Sequence, residues 1–186
     1  YKMIRVICIL AFLILAPFLG GLLSGLDRKI SARMQGRIGP SILQPFYDVQ
    51  KLLSKQFIVV NYAQIFLVVS FLATVVFTGA MFFGGSDILL CFFLLSTGAT
   101  FLIFAACITN SPYSNIGASR ELFQMLCYEP AVLLACIGFY LATDSFNVSD
   151  IIQADVPAII KTPGFFLAFI FILTIKLRKS PFDLSA

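Results

Sequence analysis

Long intervals without any charged residue are the feature that most constrains how this chain can fold. Residues 6–26 lie between Arg5 and Asp27, and residues 56–86 form a second such interval. A helix needs about 20 apolar residues to cross the hydrocarbon core of a bilayer. Since 60% of the 186 residues are hydrophobic and only 12% are charged, one soluble core cannot bury the apolar surface. The sequence predicts an integral membrane protein and excludes soluble enzymes, nucleic-acid-binding modules and disordered segments.

Five membrane spans follow from the apolar intervals and the turns between them. They cover residues 6–26, 63–83, 88–109, 120–143 and a fifth stretch from 158 or 163 to 177. Gly84 and Gly85 form a tight turn, and Asp87 is placed to cap the third span. Each span is helical, because an open sheet in lipid leaves backbone polar groups without partners. The predicted fold is an all-α, polytopic transmembrane helix bundle. Residues 1–186 form one membrane domain in this prediction, the N-terminal part of a longer chain.

The basic residues are divided unequally between the two sides of these spans. With alternating sides, ten Lys and Arg residues fall on one side and three on the other. The larger group consists of Arg28, Lys29, Arg33, Arg37, Lys51, Lys55, Arg120, Lys176, Arg178 and Lys179. Because cytoplasmic loops carry the excess of Lys and Arg, we predict a protein of the cytoplasmic membrane with its N-terminus outside.

Residues 27–55 are predicted to form a basic, amphipathic loop on the cytoplasmic side. Its cations Lys29, Arg33 and Arg37 lie at helical spacing, with Arg28 beside them. A helix after Pro45 has an apolar stripe formed by Phe46, Val49, Leu52 and Leu53. Two interpretations remain open, an anchor in the lipid headgroups and a docking surface for a peripheral partner.

The fourth span carries ionisable residues that an apolar helix does not need. Arg120 and Glu121 lie near its cytoplasmic entrance, and Glu129 lies eight residues deeper, about 12 Å at 1.5 Å per residue. An ionisable group at membrane depth costs about 2.5 to 3.5 kcal/mol on insertion scales. With Tyr128, these residues indicate a polar path for ions, and Pro130 is expected to kink the helix. The alternative is an internal Arg–Glu pair that only holds helices together.

Metal and cofactor sites are not expected in this chain. It contains no His, and its five Cys residues lie at least nine positions apart in apolar stretches. A zinc site, an iron–sulfur cluster or a haem needs a closer set of Cys or His ligands. The Cys residues are therefore interpreted as small apolar side chains.

Three motifs resemble the proximal membrane subunit of respiratory complex I, the family of NADH:quinone oxidoreductase subunit 1. They are QGRIGP at 35–40, SRE with YEP between 119 and 130, and RKSPFD at 178–183. Within this family, NSPYSNIGASRE at 110–121 and LRKSPFDLS at 177–185 look closer to the membrane subunits of membrane-bound nickel–iron hydrogenases, of the energy-converting and formate-hydrogenlyase types. The resemblance covers nearly the whole sequence and implies about eight spans in a full chain.

The resemblance implies a subunit that binds no cofactor itself but anchors a peripheral arm. In such relatives the arm carries electrons through iron–sulfur clusters to a nickel–iron centre. The implied partners are the small and large hydrogenase subunits, other antiporter-like membrane subunits and the lipid bilayer, without nucleic acid. The residues implied in arm docking are Arg28, Lys29, Arg33, Arg37, Arg178, Lys179 and Asp183. Those implied in an H⁺ or Na⁺ path are Arg120, Glu121, Tyr128 and Glu129.

Three alternatives remain open at the level of sequence. The first is a quinone-site membrane subunit of a complex I-type dehydrogenase, although such members usually carry an acidic residue where this chain has Lys176. The second is a secondary ion transporter, whose expected internal repeat is absent from the sequence because the acidic span has no counterpart. The third is a membrane anchor without an ion path, which leaves Glu129 unexplained.

Overall fold

The computed structural model describes residues 2–56, 61–109, 111–153 and 158–177, and every regular element in these ranges is an α-helix. In chain order the helices are α1 (Lys2–Met34), α2 (Gln44–Leu53), α3 (Tyr62–Phe83), α4 (Ile88–Cys107), α5 (Pro112–Thr143), α6 (Val148–Ile152), α7 (Ala158–Lys161) and α8 (Pro163–Lys176). Large apolar side chains stay exposed on them; Phe66 and Leu72 expose 70% and 63% of their surface. The predicted all-α, polytopic fold is confirmed.

Four of these helices, α1, α3, α4 and α5, are long and apolar enough to cross a membrane. The predicted fifth span, which begins at residue 158 or 163 and ends at 177, is covered by the short helix α7 and then by the apolar helix α8. The 14 residues of α8 extend about 21 Å, compared with about 30 Å for the hydrocarbon core. The residues after Leu177 lie outside the described part of the chain, so the described segment of this span stops short of a full crossing.

The chain divides into two compact units, Tyr1–Val60 and Asn61–Ala186, each with its own internal packing. The first unit contains α1 and α2, and the second contains α3 to α8. The amphipathic loop predicted over residues 27–55 lies within the first unit, and all the ionisable residues of the fourth span lie within the second. The single membrane domain over residues 1–186 stays a prediction.

In the first unit, α2 packs on α1 through two glycine positions. The ring of Phe46 lies against Gly21, where an added Cβ would be 2.6 Å from Phe46 Cζ. This ring also stacks with that of Phe18 at a centroid distance of 6.2 Å. At Gly25 the carbonyl oxygen of Ile42 approaches so closely that no side chain fits. The predicted amphipathic helix therefore uses Phe46 as its contact with α1.

The first helix extends beyond the predicted boundary at residue 26. It continues through the basic residues to Met34, because neither Gly nor Pro interrupts residues 26–34 and most residue types there favour helix. Two residues later Gly36 has a φ of 71°, the left-handed conformation that glycine adopts without steric cost. The cations Lys29 and Arg33 therefore lie on α1 itself.

In the second unit, the turn between α3 and α4 forms as predicted, with Gly85 at a φ of 78°. Asp87 occupies the N-cap position of α4, but its side chain makes no capping hydrogen bond, so the predicted cap is wrong. A backbone hydrogen bond to the loop after α5 takes the place of the side-chain cap. The N–H of Ile88 donates to the carbonyl oxygen of Phe146 at 2.9 Å, which fixes the start of α4 against the end of α5.

The fifth helix begins earlier than predicted. The sequence placed the fourth span at 120–143, but α5 starts at Pro112. Proline is favoured in the first turn of a helix, where its missing N–H is not needed, so Pro112 begins the helix rather than preventing it. The helix continues through Pro130 to Thr143, and Asp144 follows with a φ of 55°.

The core of the second unit lies on two sides of α5. With α8 it forms a cluster of Val132, Ala135, Cys136 and Ile172. With α4 it forms a cluster of Ile103, Ala118 and Met125. A Cβ at Gly138 would lie 2.5 Å from Cγ of Phe165, so this glycine allows α5 and α8 to approach. Because α4 and α8 pack on different sides of α5, they fix the rotation of α5 about its own axis.

We expect Gly138→Ala to destabilise the second unit, because the added methyl group overlaps the ring of Phe165. Overpacking of this kind typically costs about 1 to 3 kcal/mol. Gly164→Ala is the matched control, since no atom lies within 4 Å of the position of its Cβ. The measurement is the melting temperature of the purified protein in detergent, and equal melting temperatures for the two variants would contradict the packing described.

Candidate functional site

The first unit presents a basic surface where α1 ends and α2 begins. Arg28 Nη1 lies 3.3 Å from Asp48 Oδ2, and Gln44 Nε2 donates to Asp48 Oδ1 at 3.0 Å. This chain of contacts ties the basic end of α1 to α2. Since both partners of the ion pair are about half exposed, it contributes little to stability and serves mainly to fix the orientation of α2.

The other cations of this basic surface are Lys29, Arg33 and Arg37, and an apolar side chain lies among them. Arg33 and Arg37 are exposed, whereas Lys29 is half-buried. Ile38 is completely exposed at 102% of its reference surface. A cavity of about 400 Å³ lies in the same surface and is lined by Asp27, Arg28, Ser31, Ala32, Arg37, Ile38 and Pro40. An exposed mixture of guanidinium groups and a large apolar side chain is typical of a surface that another protein covers.

The predicted docking residues are therefore only partly located. Arg28, Lys29, Arg33 and Arg37 lie together in the first unit. Arg178, Lys179 and Asp183 lie outside the described residues.

In the second unit, Glu121 lies in a cavity between α4 and α5. Its side chain is 8% exposed, which makes it the most buried carboxyl group of the described residues. The cavity has a volume of about 260 Å³ and is lined by Leu102, Ile103, Ala106, Tyr113, Ser114, Gly117, Ala118 and Glu121. Such a volume has room for several water molecules, each of which occupies about 30 Å³ in the liquid.

Arg120 lines a different and larger cavity, between α5 and α8. This cavity has a volume of about 580 Å³ and is lined by Arg120, Phe123, Gln124, Cys127, Tyr128, Ala131, Phe171, Ile172 and Ile175. Its polar members Arg120, Gln124 and Tyr128 are spaced by four residues, so they form one line along α5. The predicted path residues thus lie on two faces of the helix, with Glu121 on one and Arg120 and Tyr128 on the other.

Lys176 lies against aromatic side chains of two other helices. Its Nζ lies 5.1 Å from the ring centroid of Phe92 on α4 and 5.8 Å from that of Tyr128 on α5. Its predicted place in the cytoplasmic flank, with Arg178 and Lys179, stays a prediction. Glu129, which follows Tyr128, is half-buried near the middle of α5.

The short length of α8 explains this position. Phe165, near its start, lies against Gly138, and Lys176 at its end lies against Tyr128, so α8 runs antiparallel to α5. After about 21 Å it has reached only the middle of the longer helix. Its sequence contained the signal, since 14 residues between Lys161 and Lys176 are too few to span a bilayer.

Carboxyl and thiol groups do not assemble into a metal site in the part of the chain that the structure describes. No group of three or more His, Cys, Asp or Glu side chains is found there. The polar groups described around α5 are the carboxyl groups of Glu121 and Glu129, the guanidinium of Arg120, the amide of Gln124, the phenol of Tyr128 and the ammonium group of Lys176.

Comparison with known proteins gives one family and one architecture. The sequence model of the family described as NADH dehydrogenase matches residues 5–186. A subunit of the NADH-quinone oxidoreductase of Anoxybacillus flavithermus is 33% identical over 183 residues, which are 85% of this chain and 54% of that protein. The corresponding subunit from Brevibacillus brevis is 34% identical, over 95% of this chain and 59% of its own length. The chain therefore spans little more than half the length of these curated relatives.

A solved structure has the same architecture. It is that of the membrane-bound sulfane sulfur reductase, an archaeal respiratory membrane complex. One of its chains superposes with a TM-score of 0.86 and 26% sequence identity, covering 97% of this chain and 65% of that chain. The similarity indicates that the described helices are arranged as in a membrane-embedded respiratory complex.

We expect the two thiols on α5 to differ strongly in their reaction with N-ethylmaleimide. Cys127 is exposed and lines the cavity between α5 and α8, whereas Cys136 is fully buried at 0% exposure. Cys127 should therefore be modified in the folded protein, and Cys136 only after denaturation. Mass spectrometry of the modified peptides provides the measurement. Equal modification of both thiols before denaturation would contradict the packing of α8 on α5.

Proposed function

Because this chain belongs to the NADH dehydrogenase family, we propose that it is the membrane anchor and ion-coupling subunit of a multisubunit oxidoreductase. In this proposal the basic surface of the first unit docks a peripheral arm on the cytoplasmic side. The ionisable residues of α5 and α8 carry the ions whose movement is coupled to electron transfer in the arm. The arm, with its iron–sulfur clusters, belongs to partner subunits.

The observation that carries the proposal is the group of ionisable side chains around the middle of α5. Glu129 is half-buried near the middle of α5, and the ammonium group of Lys176 lies 5.8 Å from the ring centroid of Tyr128, the residue before it. An ionisable residue inside a membrane is expensive and usually serves an ion pathway. A pure anchor would not need one.

The two cavities on α5 support a route to this group. Glu121 lies in the cavity between α4 and α5, and Arg120, Gln124 and Tyr128 line the one between α5 and α8. Water in the cavity between α5 and α8 would connect Arg120 with the level of Tyr128 and Glu129, and water in the other cavity would reach Glu121. Coupling further requires two states whose balance the redox reaction changes, such as two protonation states of Glu129.

For the reaction of the arm we propose hydrogen formation at a nickel–iron centre. The support is the similarity of residues 110–121 and 177–185 to membrane subunits of nickel–iron hydrogenases, together with Lys176 in place of the acidic residue usual in quinone-type members. The small and large hydrogenase subunits and antiporter-like membrane subunits are then the partners. The ion moved is H⁺ or Na⁺, and the N-terminus lies outside the cell.

Quinone reduction is a second candidate, and two observations favour it. The curated relatives are named as subunits of NADH-quinone oxidoreductases. The cavity between α5 and α8 is mostly apolar, with Arg120, Gln124 and Tyr128 as its polar groups, and such a cavity suits an apolar ligand with a polar head. A ligand bound there would contact the residue next to Glu129.

Purification of the intact complex in mild detergent separates these candidates. Co-isolated hydrogenase subunits with hydrogen evolution from a reduced viologen would support the first, and quinone reduction without hydrogen evolution would support the second. A chain that is isolated as a homo-oligomer and transports ions without redox partners would contradict both.

We expect the double substitution Arg33→Glu and Arg37→Glu to detach the arm from the membrane. Both side chains are exposed beside Ile38, and reversing two charges opposes an acidic partner surface. Arg5→Glu, at the other end of α1, is the control and should leave the arm bound. The measurement is the amount of arm that sediments with membranes in low and high salt. An arm that stays bound to the double variant in both conditions excludes the docking role.

We expect Glu129→Gln to assemble normally but to lose most ion translocation. Glutamine keeps the volume and polarity of the side chain but cannot release a proton. Electron transfer to an artificial acceptor should be nearly unchanged, because that assay bypasses the membrane path. Ions moved per electron pair, measured in sealed vesicles, give the result. Unchanged stoichiometry would make Glu129 a structural residue and place the path elsewhere.

A further inference from the structure

Part of the helix α2 in the first unit is apolar and exposed, although the helix packs against α1. Val49, Leu52 and Leu53 expose 56%, 63% and 82% of their surface, and no residue of α2 is buried. The proposed function uses these three side chains neither for docking the arm nor for the ion path. Large apolar side chains that share one face of a helix indicate contact with a membrane or with another molecule.

The contacts of Phe46 with α1 give the depth of α2 relative to the membrane span. The ring of Phe46 lies against Gly21 and stacks with the ring of Phe18. Both partners belong to the charge-free interval of residues 6–26. Gly21 precedes Asp27, the first charged residue after this interval, by six positions, which is about 9 Å along a helix. Phe46 therefore points into the hydrocarbon layer.

The opposite side of α2 lies at the level where the charges of α1 begin. Arg28 Nη1 lies 3.3 Å from Asp48 Oδ2, next to the end of the charge-free interval. Asp48 is two residues from Phe46, so the two side chains diverge by about 160° around the axis of α2. This helix therefore lies along the membrane boundary, with one side toward hydrocarbon and the other toward the headgroups.

The exposed apolar side chains lie on the same side of α2 as Phe46. At about 100° per residue, Leu53 is about 20° and Val49 about 60° away from Phe46, and Leu52 lies at the edge of the same arc. We call Val49, Leu52 and Leu53 the apolar face of α2. The contact that directs Phe46 toward hydrocarbon thus directs this face there as well.

Two lysines lie on the opposite side of the helix. Lys51 is about 60° from Asp48 around the axis, and Lys55 follows one turn later, just beyond the end of α2. Both lysines are exposed. Their charges are complementary to the phosphate groups of anionic lipids, which attract Lys and Arg at the membrane surface.

We propose that α2 is an interfacial helix that places its apolar face among lipid acyl chains and binds anionic phospholipid headgroups through Lys51 and Lys55. This inference goes beyond the proposed function and depends on neither the arm nor the ion path. It divides the first unit into two surfaces. The end of α1, with Arg33 and Arg37, is left for a protein partner, and α2 contacts lipid.

Depth favours lipid over a peripheral protein as the occupant of this face. A water-soluble partner approaches from above the level of Asp27, whereas the apolar face of α2 is directed below it, together with Phe46. Lipid chains surround a membrane-spanning helix such as α1 at that depth. Their contact removes the apolar face from water, which is the interaction that holds an amphipathic helix in the interface.

The experiment measures the environment of an indole ring placed on either side of α2. The 186 residues contain no Trp, so Leu53→Trp reports on the apolar face. The matched control is Lys51→Trp, about 160° away around the axis. The purified full chain is reconstituted into vesicles of phosphatidylcholine with about 30% phosphatidylglycerol. Phospholipids brominated on their acyl chains quench fluorescence from the hydrocarbon side, and acrylamide quenches it from water; the signal of the unsubstituted chain is subtracted.

We expect brominated lipids to reduce the fluorescence of Leu53→Trp at least about twofold, because apolar side chains of an interfacial helix reach the acyl boundary. Acrylamide should quench Lys51→Trp at least about threefold more strongly than Leu53→Trp, since the lysine side faces water. Val49→Trp should give the same result as Leu53→Trp and replaces that variant if it does not insert.

Two results would overturn the proposal. Strong quenching of Leu53→Trp by acrylamide would mean that the apolar face lies in water. Protection of this indole from both quenchers would mean that protein covers the face, as a second copy of the chain or a partner subunit.

The role of the two lysines is tested by changing which lipid carries the bromine. With bromine on phosphatidylglycerol alone, quenching of Leu53→Trp should be at least about twofold stronger than with the same amount of bromine on phosphatidylcholine. Adding Lys51→Gln and Lys55→Gln should abolish this difference, and adding Arg5→Gln, at the other end of α1, should preserve it. Equal quenching by the two lipids before these additions excludes headgroup binding by the lysines.

Discussion

Hydrocarbon provides no water to solvate an ionised side chain, and the second unit is arranged around that constraint. Its helix α5 carries Glu121, which is buried, and Glu129, which is half-buried. Glu121 lies in the cavity against α4, and Glu129 follows Tyr128, whose ring lies 5.8 Å from the ammonium group that ends α8. Gly138 allows α8 to approach α5, and Ala118 and Met125 pack with α4. The packing on both sides of α5 therefore determines which cavity each polar side chain reaches.

The first unit satisfies a different requirement, because its charges lie at a surface. There Arg28 and Asp48 hold α2 in place while Arg33, Arg37 and Ile38 remain exposed. Charged side chains that stay in water change the stability of the fold little, so the residues of this surface can suit a partner without destabilising the unit. The two units thus divide the proposed work, with contact to the arm in one and ion movement in the other.

The sequence was sufficient for the class of fold and for most helices, because hydrophobic intervals and helix-breaking residues act locally. It predicted α3 almost to the residue, and the turn at Gly84 and Gly85. It failed where a residue has two possible roles. Pro112 lies between the predicted spans 88–109 and 120–143 but already begins α5, and the capping role predicted for Asp87 is taken by the hydrogen bond from Ile88 N–H to Phe146.

The candidate site was predictable in its residue types but not in its geometry. The cost of charge in lipid identified Arg120, Glu121 and Glu129 from sequence alone. Their distribution over two faces of α5 depends on which helix packs on which side, and Lys176 enters only because α8 is short. Such long-range contacts leave no periodic signal in the residues that make them.

The limited length of α8 also has a consequence for the lipid around it. An apolar helix of about 21 Å beside helices that cross the full hydrocarbon core creates a hydrophobic mismatch of several ångströms. A bilayer responds to a short helix by thinning next to it, and headgroups with their water then move toward the end of α8. Headgroup water would thus come closer to the ammonium group of Lys176 and to the Tyr128 ring beside it.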